Sequence, residues 1–140
     1  MRLWDYRLIP VLPNTMLVSQ WRECIAIKRQ WEKGTLKHRL VSYVMNYKGV
    51  PFFTYVRLIA MEMDKRNIKY KNTYFQEIIN WCCRLENENV ITSDYRKLYK
   101  EHNYRYLKQC YYNLQEKYDR GIITKEEWQK IENLIGGEIE

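Results

Sequence analysis

Between Asn14 and Lys33 the apolar side chains fall at helical intervals, as Leu17, Val18, Trp21, Cys24, Ile25 and Trp31, and Gly34 follows as a stop. Asn14 or Thr15 is placed to cap this helix. The same period returns along the chain. It predicts a helix from about Lys37 to Tyr47, and one from Pro51 to about Asn67 with Phe52, Val56, Ile59 and Met63 on its core stripe. Another runs from about Thr73 to Leu85, carrying Phe75, Ile78, Ile79, Cys82 and Leu85, and a fifth from about Tyr104 to Tyr118, carrying Leu107, Cys110, Tyr111 and Leu114. "ENENVITSD" reads as the main loop, and the last helix opens on a Thr124/Glu127 capping box and stops at the closing Gly-Gly. Outside the first dozen residues no stretch alternates with the period of two that a strand requires. The expected fold is all-α: a single compact helical domain over residues 1–140, with an N-terminal arm packed over the first long helix and a C-terminal αα-hairpin.

A length of 140 residues suits one domain and one core. With 24 Lys and Arg against 17 Asp and Glu the chain carries a formal charge of +7, so a polyanion is the expected partner, nucleic acid before a membrane surface. Of Cys24, Cys82, Cys83 and Cys110, two are adjacent and none forms a Cys-x-x-Cys, so neither a disulfide framework nor a structural zinc site is expected. A reducing, cytoplasmic setting fits these thiols, and no metal or cofactor is foreseen. No apolar run reaches the length of a signal peptide or a membrane span, since Asp5 and Arg7 interrupt the N-terminus. The chain is expected to be soluble, unexported and monomeric.

Within "VSQWRECIAIKRQW" the residue of interest is Glu23. Side chains on a helix meet at spacings of three and four, and at those spacings Glu23 finds Ser19, Gln20, Ala26 and Ile27, none of them cationic. Glu32, by contrast, lies four residues from Lys28 and three from Arg29, the spacing of a structural ion pair. Arg22, Arg29 and Lys33 share one polar face suited to phosphates, although a solvated basic face accounts for this helix equally well when it is taken alone. His38 in "LKHR" is a further residue placed to reach a phosphate. Several of the tyrosines stand among cations, but those in register with Leu107 and Leu114 belong to a core. The cysteines have no acid-base partner nearby in sequence, which argues against a thiol nucleophile.

The N-terminal "MRLW", the following "LIPVLP", the helix bearing "QWRE", the "LIAMEMDKR" segment and the late "YNLQEKYD" together resemble the pyrimidine-dimer DNA glycosylase family, and within it a bacterial and phage branch. The likeness spans most of the chain. It implies a small all-α DNA repair glycosylase with AP-lyase activity acting on damaged double-stranded DNA. It further implies that the N-terminal α-amine, here that of Met1, is the nucleophile, since the bulky Arg2 should block removal of the initiator. The family's catalytic glutamate falls on Glu23, the arginine before it on Arg22 and the basic residue after the terminus on Arg2. By this resemblance Ala26 stands where a phage member of the family carries another DNA-contacting arginine, and Arg29, one turn on, is the expected substitute. Two competing readings stay open at this point: a basic helical protein that only binds nucleic acid, and a lyase for abasic or modified-base DNA.

Overall fold

The fold was obtained as a computed structural model, which describes residues 1–92 and 98–139. Six α-helices follow one another, α1 (Asn14–Lys33), α2 (Val50–Lys65), α3 (Asn72–Glu86), α4 (Tyr104–Asp119), α5 (Lys125–Ile131) and a terminal turn α6 (Gly137–Ile139), and no strand occurs among the described residues. Short 3-10 segments at Tyr6–Val11, Ser42–Asn46 and Val90–Thr92 join them.

α2 is the central element. Phe52, Val56, Ile59 and Met63 are buried as the spacing requires, and Phe53, Tyr55 and Ala60 are buried with them. A helix covered on more than one face must be packed on several sides. Here α1, α3 and the segment Tyr6–Val11 surround it. Its first turn approaches α3 so closely that a methyl group on Gly49 would overlap the Cys82 carbonyl. α4 and α5 form the expected hairpin: Gly121 turns the chain at φ 77°, the Thr124/Glu127 capping box starts α5, and Trp128 stacks on Tyr118 at 5.4 Å between ring centroids. The buried side chains form one continuous core from Leu3 to Ile139.

Four expectations need correcting. Residues 37–47 are not an α-helix but a turn followed by the 3-10 segment Ser42–Asn46, which suffices to bury Val41 and Val44 three residues apart. α1 begins after Pro13 with no side-chain cap, because the Asn14 side-chain oxygen accepts from Arg66 Nη1 at 2.9 Å instead. Its end is as foreseen: Gly34 adopts φ 73°, and Thr35 N and Gly34 N reach the Gln30 and Trp31 carbonyls. The closing glycines do not stop the last helix. It widens into a π-helical stretch, Glu132–Gly136, and helical geometry runs on to bury Ile135 and Ile139. Finally, Arg29 pairs with Glu77 of α3 rather than with Glu32, which takes Lys28 at 2.8 Å and Arg84. Part of the loop "ENENVITSD", residues 93–94, lies outside the described residues.

The arm before α1 is fixed, not loose. Leu3, Trp4 and Asp5 are buried. The Asp5 carboxylate holds Arg7 through two bonds of 2.9 Å, and Arg7 also donates to the His102 and Asn103 carbonyls at the start of α4. Arg66, at the end of α2, donates to the carbonyls of Ile9, Pro10 and Leu12, gripping the 3-10 turn that brings the arm onto α1.

Candidate active site

A cleft of about 470 Å³ opens where the arm crosses α1. Its walls come from four places. The arm contributes Met1, Arg2 and Trp4, and the loop after α1 gives His38 and Leu40. α1 presents Met16, Ser19, Gln20 and Glu23, and α4 presents Asn113, Glu116, Lys117 and Arg120. Each helical set has the spacing i, i+3, i+4, i+7, so each is one stripe of its helix.

Gln20 joins the arm to α1. Its side-chain oxygen accepts from the Trp4 N–H at 2.7 Å and from the Tyr55 hydroxyl at 2.8 Å, while its Nε2 donates to the Arg2 carbonyl at 2.7 Å and to Glu23 Oε2 at 3.0 Å. The single Tyr55 hydroxyl hydrogen is shared with the Trp4 carbonyl, 2.7 Å away, and Tyr106 of α4 donates to the carbonyl of Leu3. Burial keeps the Tyr55 hydroxyl protonated, well above the usual phenol range, so it remains a donor.

Glu23 is half-buried, and its Oε2 also accepts the Arg2 backbone N–H at 3.4 Å, the amide that adjoins Met1. Among the described residues it makes no ion pair. The Gln20 amide and the Arg2 N–H are neutral donors, so the charge of Glu23 is not cancelled by a salt bridge. The Met1 nitrogen lies 3.2 Å from His38 Nε2, and the Arg2 guanidinium sits 5.0 Å over the Trp4 ring.

The structure thus brings Met1, Arg2, Glu23 and His38 into one cleft and leaves the other expected site residues elsewhere. Arg22 and Arg29 line an adjoining groove of about 430 Å³ with Ile25, Ala26, Gln30 and Tyr74, on the neighbouring face of α1. Arg29 is held there by Glu77 at 3.2 Å and lies over the Tyr74 ring; Glu77 above all raises its pKa further, whereas Glu77 itself is lowered, first by Arg29 and then by Lys28. Lys33 is exposed at the C-terminal end of α1, where a cation also suits the helix dipole.

Sequence reasoning did not single out Gln20 or Tyr55 as the arm's anchors, nor the α4 stripe. "YNLQEKYD" contains three of that stripe's four residues. Three of the four cysteines are poor alternatives as nucleophile. Cys24, Cys82 and Cys110 are buried and free, and burial pushes all three thiols up, Cys110 to about 11. Among the described residues no three His, Cys, Asp or Glu side chains converge as a metal site would, and no helix is long and apolar enough to cross a membrane.

Comparison with curated proteins and with solved structures gives no match. The family model described as pyrimidine dimer DNA glycosylase matches residues 1–76, more than half of the chain and the part that supplies the arm, α1 and His38; the chain belongs to that family.

Proposed function

We infer that this DNA glycosylase works by covalent catalysis, with the Met1 α-amine as nucleophile and Glu23 as the acid-base group, and that it nicks the strand as an AP lyase. The observation that carries this reading is the environment of Glu23: a carboxylate beside the terminal peptide, oriented by Gln20 Nε2 and the Arg2 N–H, with no ion pair among the described residues to neutralise it. A free α-amine has a pKa of about 7.7 to 8.0 against about 10.4 for a lysine, so roughly a tenth is neutral near pH 7 without deep burial.

In the reaction the amine forms a bond to C1′ as the glycosidic bond breaks, its electron pair leaving with the base. The ionised Glu23 stabilises the positive charge that develops on the sugar. It then carries protons as the ring opens to an imine and as loss of a C2′ proton expels the 3′ phosphate. Arg2, Arg22 and Lys33 hold the DNA backbone, Arg29 joins them by exchanging Glu77 for a phosphate, and Lys117 and Arg120 extend the basic border of the cleft. Because α4 lies beyond the matched segment and lines the same cleft, residues 1–140 act as one unit. Pyrimidine dimers in double-stranded DNA are the substrate that family membership indicates.

The test is Glu23→Gln assayed on dimer-containing and abasic duplexes. Nicking should fall by about 10²- to 10⁴-fold, with affinity for the same duplexes kept within a few-fold. Acetylation of the terminus should abolish borohydride trapping. Undiminished nicking by Glu23→Gln, or trapping through an acetylated terminus, refutes the assignment.

A further inference from the structure

A basic loop beside a DNA-binding cleft invites the reading that His38 contacts phosphate, but its position favours another. With Met1 as the nucleophile, the reading on which this role rests, a proton must leave the nitrogen before it attacks, because an α-ammonium has no lone pair. The group within hydrogen-bonding distance of the Met1 nitrogen is His38 Nε2, at 3.2 Å. Among the described residues no carboxylate forms an ion pair with the terminus, and the hydrogen bonds of Glu23 Oε2 go to Gln20 Nε2 and the Arg2 N–H, not to the Met1 nitrogen.

The other ring nitrogen adds a direction. His38 Nδ1 faces the Leu40 backbone N–H at 3.4 Å, and a backbone N–H can only donate. A neutral imidazole carries one hydrogen. With the terminus as an ammonium donating to Nε2, that hydrogen must sit on Nδ1, where it meets the Leu40 N–H head on. With the terminus as a neutral amine, the hydrogen sits on Nε2 and points at the amine, while Nδ1 accepts from Leu40. Both contacts are satisfied together only when the amine is uncharged.

We propose that His38 is a catalytic residue, the proton acceptor that turns the Met1 ammonium into the amine. The proton enters the ring at Nε2 and leaves from Nδ1 to solvent, to which this exposed loop is open. The N–H bonds broken are one on Met1 and one at Nδ1, and those made are one at Nε2 and an O–H bond to the water that takes the proton. The imidazole finishes neutral, with its hydrogen on Nε2, and no oxidant or co-reactant is needed. The other charged groups lining the cleft are Arg2 from the arm, Glu23 from α1, and Glu116, Lys117 and Arg120 from α4.

The experiment is borohydride trapping on a duplex carrying one abasic site, at saturating DNA, from pH 6 to pH 9, for the wild type, H38Q and H38A. Near pH 7 H38Q should trap at least about tenfold more slowly, since loss of a positioned general base typically costs about 10²- to 10⁴-fold. The deficit should vanish by pH 9, where a free α-amine is already mostly neutral, added imidazole should restore H38A, and DNA affinity and melting temperature should stay at the wild-type values. H38Q matching the wild type at every pH overturns the proposal, as does a deficit that persists at pH 9 or a defect confined to affinity. These outcomes differ from failure of the Met1 reading itself, in which the wild type yields no trapped product and the role of His38 falls with it.

Discussion

Replacing Gln20 with alanine should both destabilise the fold and release the arm that carries Met1. The substitution deletes four hydrogen bonds of 2.7 to 3.0 Å. Tyr55 keeps the Trp4 carbonyl as an acceptor, and the Arg2 carbonyl borders the open cleft, so water replaces part of the loss. The Trp4 N–H is in a different position: the residue is only 8 % exposed, and its donor is left without a partner. An orphaned buried donor costs about 1–3 kcal/mol and each lost bond a net 0.5–1.5 kcal/mol, so a total of about 2–4 kcal/mol is expected. For a chain of this length that corresponds to a fall in Tm of about 8–16 °C. The comparator is Gln20→Glu, which keeps an acceptor for Trp4 and Tyr55 but removes both donors and sets a second carboxylate beside Glu23. It should lose at least as much stability, because a buried carboxylate 3.0 Å from Glu23 must be desolvated or protonated, and at least as much borohydride-trapping activity, measured well below either melting temperature. A Gln20→Ala protein that melts within about 2 °C of the wild type and traps abasic DNA equally fast would refute the view that this side chain fixes the arm.

Two further outcomes follow from the same packing. His102 is buried, bonded to the Tyr43 hydroxyl and the Tyr6 N–H, and burial lowers its pKa from 6.5 to about 4. Its folded value lies below its unfolded one, so the unfolded chain takes up the proton first and stability is lost as pH falls from about 6.5 to 4. The loss should approach about 3 kcal/mol, visible in chemical denaturation as a step that His102→Gln flattens. Gly49→Ala drives a methyl group into the Cys82 carbonyl and should cost about 3 kcal/mol in the same assay, with little change in the rate of cleavage by the protein that remains folded.

The helices were legible where an apolar stripe outlasted two turns, as in α1 to α4. Residues 37–47 misled because Val41 and Val44, three apart, satisfy a 3-10 turn as well as an α-helix, and sequence spacing alone does not separate the two. The terminal Gly-Gly misled differently: the stop signal of glycine is overridden when Ile135 and Ile139 gain burial and the Tyr111 hydroxyl binds Glu132. At the site, Glu23 could be singled out because helical geometry reveals which neighbours it lacks. The placement of His38 could not, since its partner nitrogen is 37 positions away. Nor could the α4 stripe, which in isolation is the wet side of an amphipathic helix.

The bond from Tyr106 to the Leu3 carbonyl spans 103 residues, and those from Arg7 to the mouth of α4 span nearly as many. α1 can coil from local contacts alone, but the arm beside it, already held in part by Gln20, Tyr55 and Arg66, is fully bound only when a segment from the far third of the polypeptide has been synthesised and has found its place. The last contacts of the arm are therefore made late in folding. A nascent or half-refolded chain can already be rich in helix while its first residues still lack part of their anchorage.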